Sequence, residues 1–261
     1  MFRIGESKFE KALKNALRQQ GLQITERPDE HTLLLTNGRS QLDFDIEEVR
    51  EDFEKNGDKK SVVIFAENSA YELALEDRLN SFINAQSFLR LIVMNENEIQ
   101  PHMVSADFAG QLKKTVCYTG EGSDVYTLDR KYLRKWGVPA EVLFSVADRN
   151  MGRLLGNTSY TFSEIGNGIK VMEFETKDDP LVVSMMLCND FRELVSSKLG
   201  SRFMVAAPSR QSMIAIQEIS NKLLEGLGKA ILRDYNWADE PLSTDIFYYT
   251  PTGVTVAGRF R

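Results

Sequence analysis

Two apolar runs, 203–207 and 213–216, enclose Pro208, Ser209, Arg210 and Gln211. Apolar residues occupy both alternating faces of each run, which predicts two central strands joined by a turn whose tip alone is polar. Elsewhere the period changes. Residues 1–20 place Phe9, Leu13, Ala16 and Leu17 on one side of a helix, and Gly21 supplies its stop. Extended stretches at 22–25, 32–36 and 41–45, with Asn37 and Gly38 between the last two, predict a meander. Residues 62–66 read as a strand, 72–83 as a helix and 88–94 as a buried strand.

A hairpin is expected over 116–128. Pro139 then opens a helix carrying Leu143, Phe144, Ala147, Met151, Leu154 and Leu155 on its buried stripe. Asp148 and Asn150 fall at opposite edges of that stripe, where a polar side chain reaches a neighbouring element or water. Two strands follow around Gly166 and Gly168, then a helix marked by Phe191, Leu194, Val195 and Leu199. One more helix starts after Ser220, weakened by Gly226 and Gly228, and short strands at 245–249 and 254–257 end the chain. Strands and helices alternate irregularly with hairpin-length turns. The expected fold is therefore α+β, mainly antiparallel sheets packed with helices, in two sub-domains: 1–105, a helix and then a meander, and 106–261.

Charge narrows the choice of partner. The net charge of −6, from 38 acids and 32 bases, argues against general affinity for nucleic acid or an anionic membrane. Eight acids between 43 and 58 (Asp43, Asp45, Glu47, Glu48, Glu51, Asp52, Glu54 and Asp58) face only Arg50 and Lys55, the most acidic stretch in the chain. Cys117 and Cys188 lie far apart in sequence and suit a reducing cytoplasm better than a disulfide framework. No run approaches the roughly 18 apolar residues of a membrane span.

Motif chemistry gives little. Gly120 and Gly122 lack a third phosphate-loop glycine because position 125 is Val, and Gly166 and Gly168 fail likewise at Val171. Gly228-Lys229 imitates a P-loop ending, but Leu223 and Ala230 stand where glycine and Ser/Thr belong. Asp43, Asp45, Glu47 and Glu54 match calcium-loop spacing, yet Glu48 holds the sixth position, where the turn needs glycine. His31 and His102 have no second ligand at helical spacing. These tests leave no metal and no cofactor to expect. One enzyme reading survives: Glu175 and Lys177 have the E-x-K spacing of metal-dependent nucleases, with Glu164 across the turn as second acid.

Tyr126-Thr127-Leu128-Asp129, Trp136-Gly137-Val138 leading into 143–150, and Val205-Ala206-Ala207-Pro208-Ser209-Arg210 follow one another in order. Over about 101–217 the chain resembles the YtpQ-like bacterial family of unknown function. The resemblance implies an α+β protein and supplies no catalytic residue. An acid usually follows the Pro-Ser-Arg turn in that family, whereas this chain has Gln211. Together these readings favour a non-enzymatic interaction or regulatory module in the cytoplasm, binding a protein partner or itself. Its expected surface is Ser209 and Arg210 at the turn, with Asp148 and Asn150. The alternatives are a metal-dependent hydrolase or nuclease using Glu164, Glu175 and Lys177, and an immunity-type protein that captures a basic partner through 43–58.

Overall fold

The computed structural model describes residues 7–57, 59–120, 125–166, 168–175 and 181–260. The α+β class is as expected: helices packed with three antiparallel sheets, in a chain that separates into units 1–84 and 85–261.

The first unit runs α1 (Lys8–Gln19), β1 (Gln23–Glu26), β2 (Thr32–Thr36), β3 (Gln41–Asp45), α2 (Glu47–Asn56) and α3 (Lys60–Arg78). Ser7 caps α1 by accepting the Glu10 amide at 3.1 Å, and the helix buries Phe9, Leu13, Ala16 and Leu17. β1, β2 and β3 form the expected antiparallel meander. Residues 62–66 are not a strand: they are the first turns of α3. Val62, Ala66, Ser69 and Leu73 recur at helical spacing and meet the core formed with Leu13, Leu33 and Leu35. A short run of β-branched residues carries no period of its own, and the longer repeat decides.

A short helical turn, α4 (Phe82–Ala85), stands at the junction. The second unit then runs β4 (Leu89–Asn95), β5 (Ser105–Ala109), β6 (Leu112–Thr119), β7 (Val125–Thr127), α5 (Arg130–Trp136), α6 (Ala140–Gly156), β8 (Thr161–Ile165) and β9 (Ile169–Glu175). It continues with α7 (Asn189–Leu199), β10 (Phe203–Ala206), β11 (Ser212–Gln217), α8 (Asn221–Trp237), β12 (Asp245–Thr250) and β13 (Gly253–Arg259). The boundary expected at 105 falls earlier, between Asn84 and Ala85. The reason is β4, which pairs with β6 from Leu89↔Tyr118 to Asn95↔Leu112 and so belongs to the second unit. Composition marks loops, whereas pairing assigns a strand to its unit.

Two sheets build this unit. The smaller has the order β4-β6-β5, with β7 also on β6, and the larger has the order β13-β12-β10-β11-β9-β8. β10 is central and buried along its whole length, as the two-faced apolar run predicts. On one face its Phe203 stacks on Tyr249 at 4.7 Å, and Phe191 of α7 adds an edge contact to both rings. The Tyr249 hydroxyl donates to the Met186 carbonyl at 2.8 Å, which satisfies it inside the core. On the other face Met204, Ala206 and Ile246 meet Ile231 of α8.

The two glycines of α8 differ. A Cβ on Gly228 would overlap the Phe260 ring, while one on Gly226 would meet nothing within 4 Å. Gly226→Ala should therefore stabilise the chain by about 1 kcal/mol through helix propensity. Gly228→Ala should destabilise it by about 1–3 kcal/mol through overpacking, a difference of sign that chemical-denaturation midpoints of the two variants would reveal.

Candidate functional site

The β10–β11 turn is tied down on every side. The segment ahead of β12 runs beside it: Arg210 donates its amide to the Glu240 carbonyl at 3.1 Å, Leu242 donates to Pro208 at 3.0 Å and Ser243 to Ala207 at 3.2 Å. Ser209 is buried, and its Oγ accepts the amides of Gln211 and Ser212 at 3.2 and 3.1 Å. That is turn chemistry. The tip expected to be free for a partner is spent on its own backbone.

Arg210 reaches away from the turn to the other sheet. Its Nη1 donates to the Val93 carbonyl at 2.9 Å and its Nη2 to Glu98 Oε1 at 2.6 Å. Glu98 Oε2 in turn accepts the Asn95 amide at 2.6 Å, so the carboxylate serves the guanidinium and the end of β4 together. Val93 sits on β4, the outermost strand of its sheet, and its amide donates to Ser184 Oγ at 3.0 Å. Two side chains thus satisfy both main-chain groups of one residue on an open strand edge. Gln211 donates Nε2 to Glu240 Oε2 at 2.9 Å, and an acid there would set two carboxylates against each other.

The helix-edge candidates are also engaged. Asp148 accepts the Asn189 amide at 3.0 Å and its side-chain amide at 2.8 Å, satisfying a donor at the start of α7. Asn150 is buried and donates Nδ2 to the carbonyls of Gln86 and Leu89 at 2.8 and 2.9 Å, holding the entry to β4. A second clasp, Asp245 with Arg259, carries no motif in the sequence. Asp245 is 1% exposed, its Oδ2 accepts Arg259 Nη2 at 2.9 Å, and this bonding raises the guanidinium pKa. Gly110, in the β5–β6 turn at φ 59°, approaches so closely that a Cβ would lie 2.6 Å from Asp245 Oδ2.

Two of the nuclease candidates, Glu164 and Glu175, sit at separate strand positions. Glu164 pairs in register with Lys170, near the β8–β9 turn, whereas Glu175 lies at the far end of β9, opposite Ser212. Five residues of strand separate positions 170 and 175, roughly 17 Å. Lys177 lies outside the described residues. The calcium-like spacing is divided between β3 and α2, where Asp45 accepts the Glu47 amide at 2.8 Å. Among the described residues no three His, Cys, Asp or Glu side chains gather to hold a metal ion. No described helix is long and apolar enough to cross a membrane.

β8 is different. It ends the larger sheet, and its outer edge faces no described strand. Phe162 is 44% exposed and Ile165 50%, while Tyr160, just before the strand, lies 5.5 Å from the Phe174 ring. No family model, curated protein or solved structure matches the chain.

Arg210→Met should cost about 1–3 kcal/mol, and a double-mutant cycle with Glu98→Gln should show coupling of about 0.5–2 kcal/mol. Arg210→Lys should recover little, because a single ammonium cannot reproduce the fork between Val93 and Glu98. Burial pushes both cysteine thiols from 9.0 up to about 12, so each is neutral in the fold. A native thiol titration at pH 8 should find neither, and both should react in denaturant. The raised values also favour the fold fully below pH 9 and withdraw that stability as pH climbs towards 12.

Proposed function

We propose that this chain is a non-catalytic interaction module that associates with itself through the outer edge of β8. The observation that carries this reading is the contrast between two edges. On β4, Val93 is closed by Ser184 and Arg210; on β8 the apolar Phe162 and Ile165 are exposed beside an edge without a described partner strand. Exposed strand edges are templates for pairing, and natural sheets guard them with charge, proline or a covering element. Here Glu164 is the one charge on the strand. Main-chain hydrogen bonds would supply the affinity, and the apolar side chains the register.

Two features accompany this proposal. The free, buried Cys117 and Cys188 suit a reducing cytoplasm, and the resemblance of 101–217 to the YtpQ-like family adds no reaction to it. A hydrolase or nuclease reading finds little support in the separate positions of Glu164 and Glu175.

At about 500 mM salt, where ion pairs between exposed side chains are screened, light scattering coupled to size-exclusion chromatography should report a dimer for the wild-type chain. Phe162→Lys with Ile165→Lys should convert it to a monomer at the same salt with unchanged circular dichroism. A wild-type chain that stays monomeric at the highest soluble concentration, or a lysine variant that stays dimeric at that salt, would overturn the proposal.

A further inference from the structure

α5 gathers cations in a chain that is acidic overall. Arg130, Lys131, Arg134 and Lys135 follow the pattern i, i+1, i+4, i+5, which confines them to a sector about 140° wide on a helix. All four are exposed, while Tyr132 between them is buried and Trp136 half-buried. Local contacts orient the charges: Arg130 Nε donates to the Met103 carbonyl at 3.0 Å, and the Lys131 and Lys135 ammonium groups lie 5.0 and 5.7 Å from the centre of the Tyr132 ring.

The first two turns of α2 show the same pattern with the opposite sign. Glu47, Glu48, Glu51 and Asp52 stand at i, i+1, i+4, i+5, and all four are exposed. Arg50 does not dilute them, because its guanidinium lies over the Phe9 ring at 5.5 Å and donates to the Glu30 carbonyl. Lys55 comes one turn later.

We infer that the cationic face of α5 docks against the acidic face of α2 on a second copy of the chain. The matched spacing lets each cation meet one carboxylate when the helices lie side by side. A nucleic acid fits less well: α5 is only about 10 Å long, it spans few phosphates, and the net charge of −6 repels the rest of a polyanion. Exposed ion pairs are individually weak and screened by salt, so this contact orients copies and responds to ionic strength. Unlike surfaces meet, so the contact is heterologous, and closed pairs or longer strings both express it. It involves no residue of β8.

The test uses the full chain carrying Phe162→Lys and Ile165→Lys, which removes edge pairing and leaves both helices intact. Sedimentation velocity at about 20 mM salt should show concentration-dependent association that weakens at least tenfold at about 500 mM. Arg130→Glu with Arg134→Glu should abolish it, and so should Glu47→Arg with Glu51→Arg. Mixing the two charge-reversed chains should restore association, because each then presents the complement of the other. All four positions are exposed, and unchanged circular dichroism and thermal midpoints would confirm that both variants fold. Monomers at low salt, association indifferent to the reversals, or no recovery on mixing would overturn the inference. So would Arg130-dependent binding of a single-stranded oligonucleotide by chains that do not associate.

Discussion

An edge strand held inside a folded unit leaves main-chain groups that must find partners, and at Val93 this chain meets the requirement with side chains alone. Ser184 takes the amide and Arg210 the carbonyl. The consequence spreads outward. Because Arg210 is carried on the β10–β11 turn, closing the edge of the small sheet also fixes that turn against β4, and Glu98 holds the guanidinium in place. Asn150 adds a third contact at Leu89, so the same edge is fastened from α6 as well. Leaving such groups unmade inside a protein costs more than any one bond gains, which makes these few polar residues decisive for how the second unit is put together.

Apolar packing does the rest, and it is divided by face. The Phe191, Phe203 and Tyr249 rings fill one side of the large sheet, and Ile231 of α8 covers the other. Asp245 and Arg259 form a second clasp where the Gly110 turn approaches β12. Ser209, Arg210, Asp148 and Asn150 are committed to internal bonds, so the proposed partner surfaces lie elsewhere, on the β8 edge and on the charged faces of α2 and α5.

What the sequence revealed followed from period and burial. The two-faced apolar runs around Pro208 announced β10 as a central strand, and the spacing of Phe9, Leu13 and Leu17 announced α1. The run at 62–66 misled because β-branched residues suit a strand, while the period that makes it helical extends as far as Leu73. The role of Arg210 was hidden for a different reason. Glu98 lies 112 residues away in sequence, and no local pattern joins a turn to the edge of another sheet. Asp245 and Arg259 were equally silent, since their pairing depends on the β12–β13 register. A conspicuous arginine at a turn looks the same in sequence whether it waits for a partner or already holds one.

Arg210 joins β4 to the β10–β11 turn, so the strand and the hairpin should open together. Native-state hydrogen exchange followed by mass spectrometry on the wild-type chain reads this directly, by comparing opening free energies for peptides covering 89–95 and 203–217. Equal values, moving together as denaturant is raised, are expected if the Arg210 tie holds. A β4 that exchanges through its own, lower-energy opening while the hairpin stays protected would contradict it.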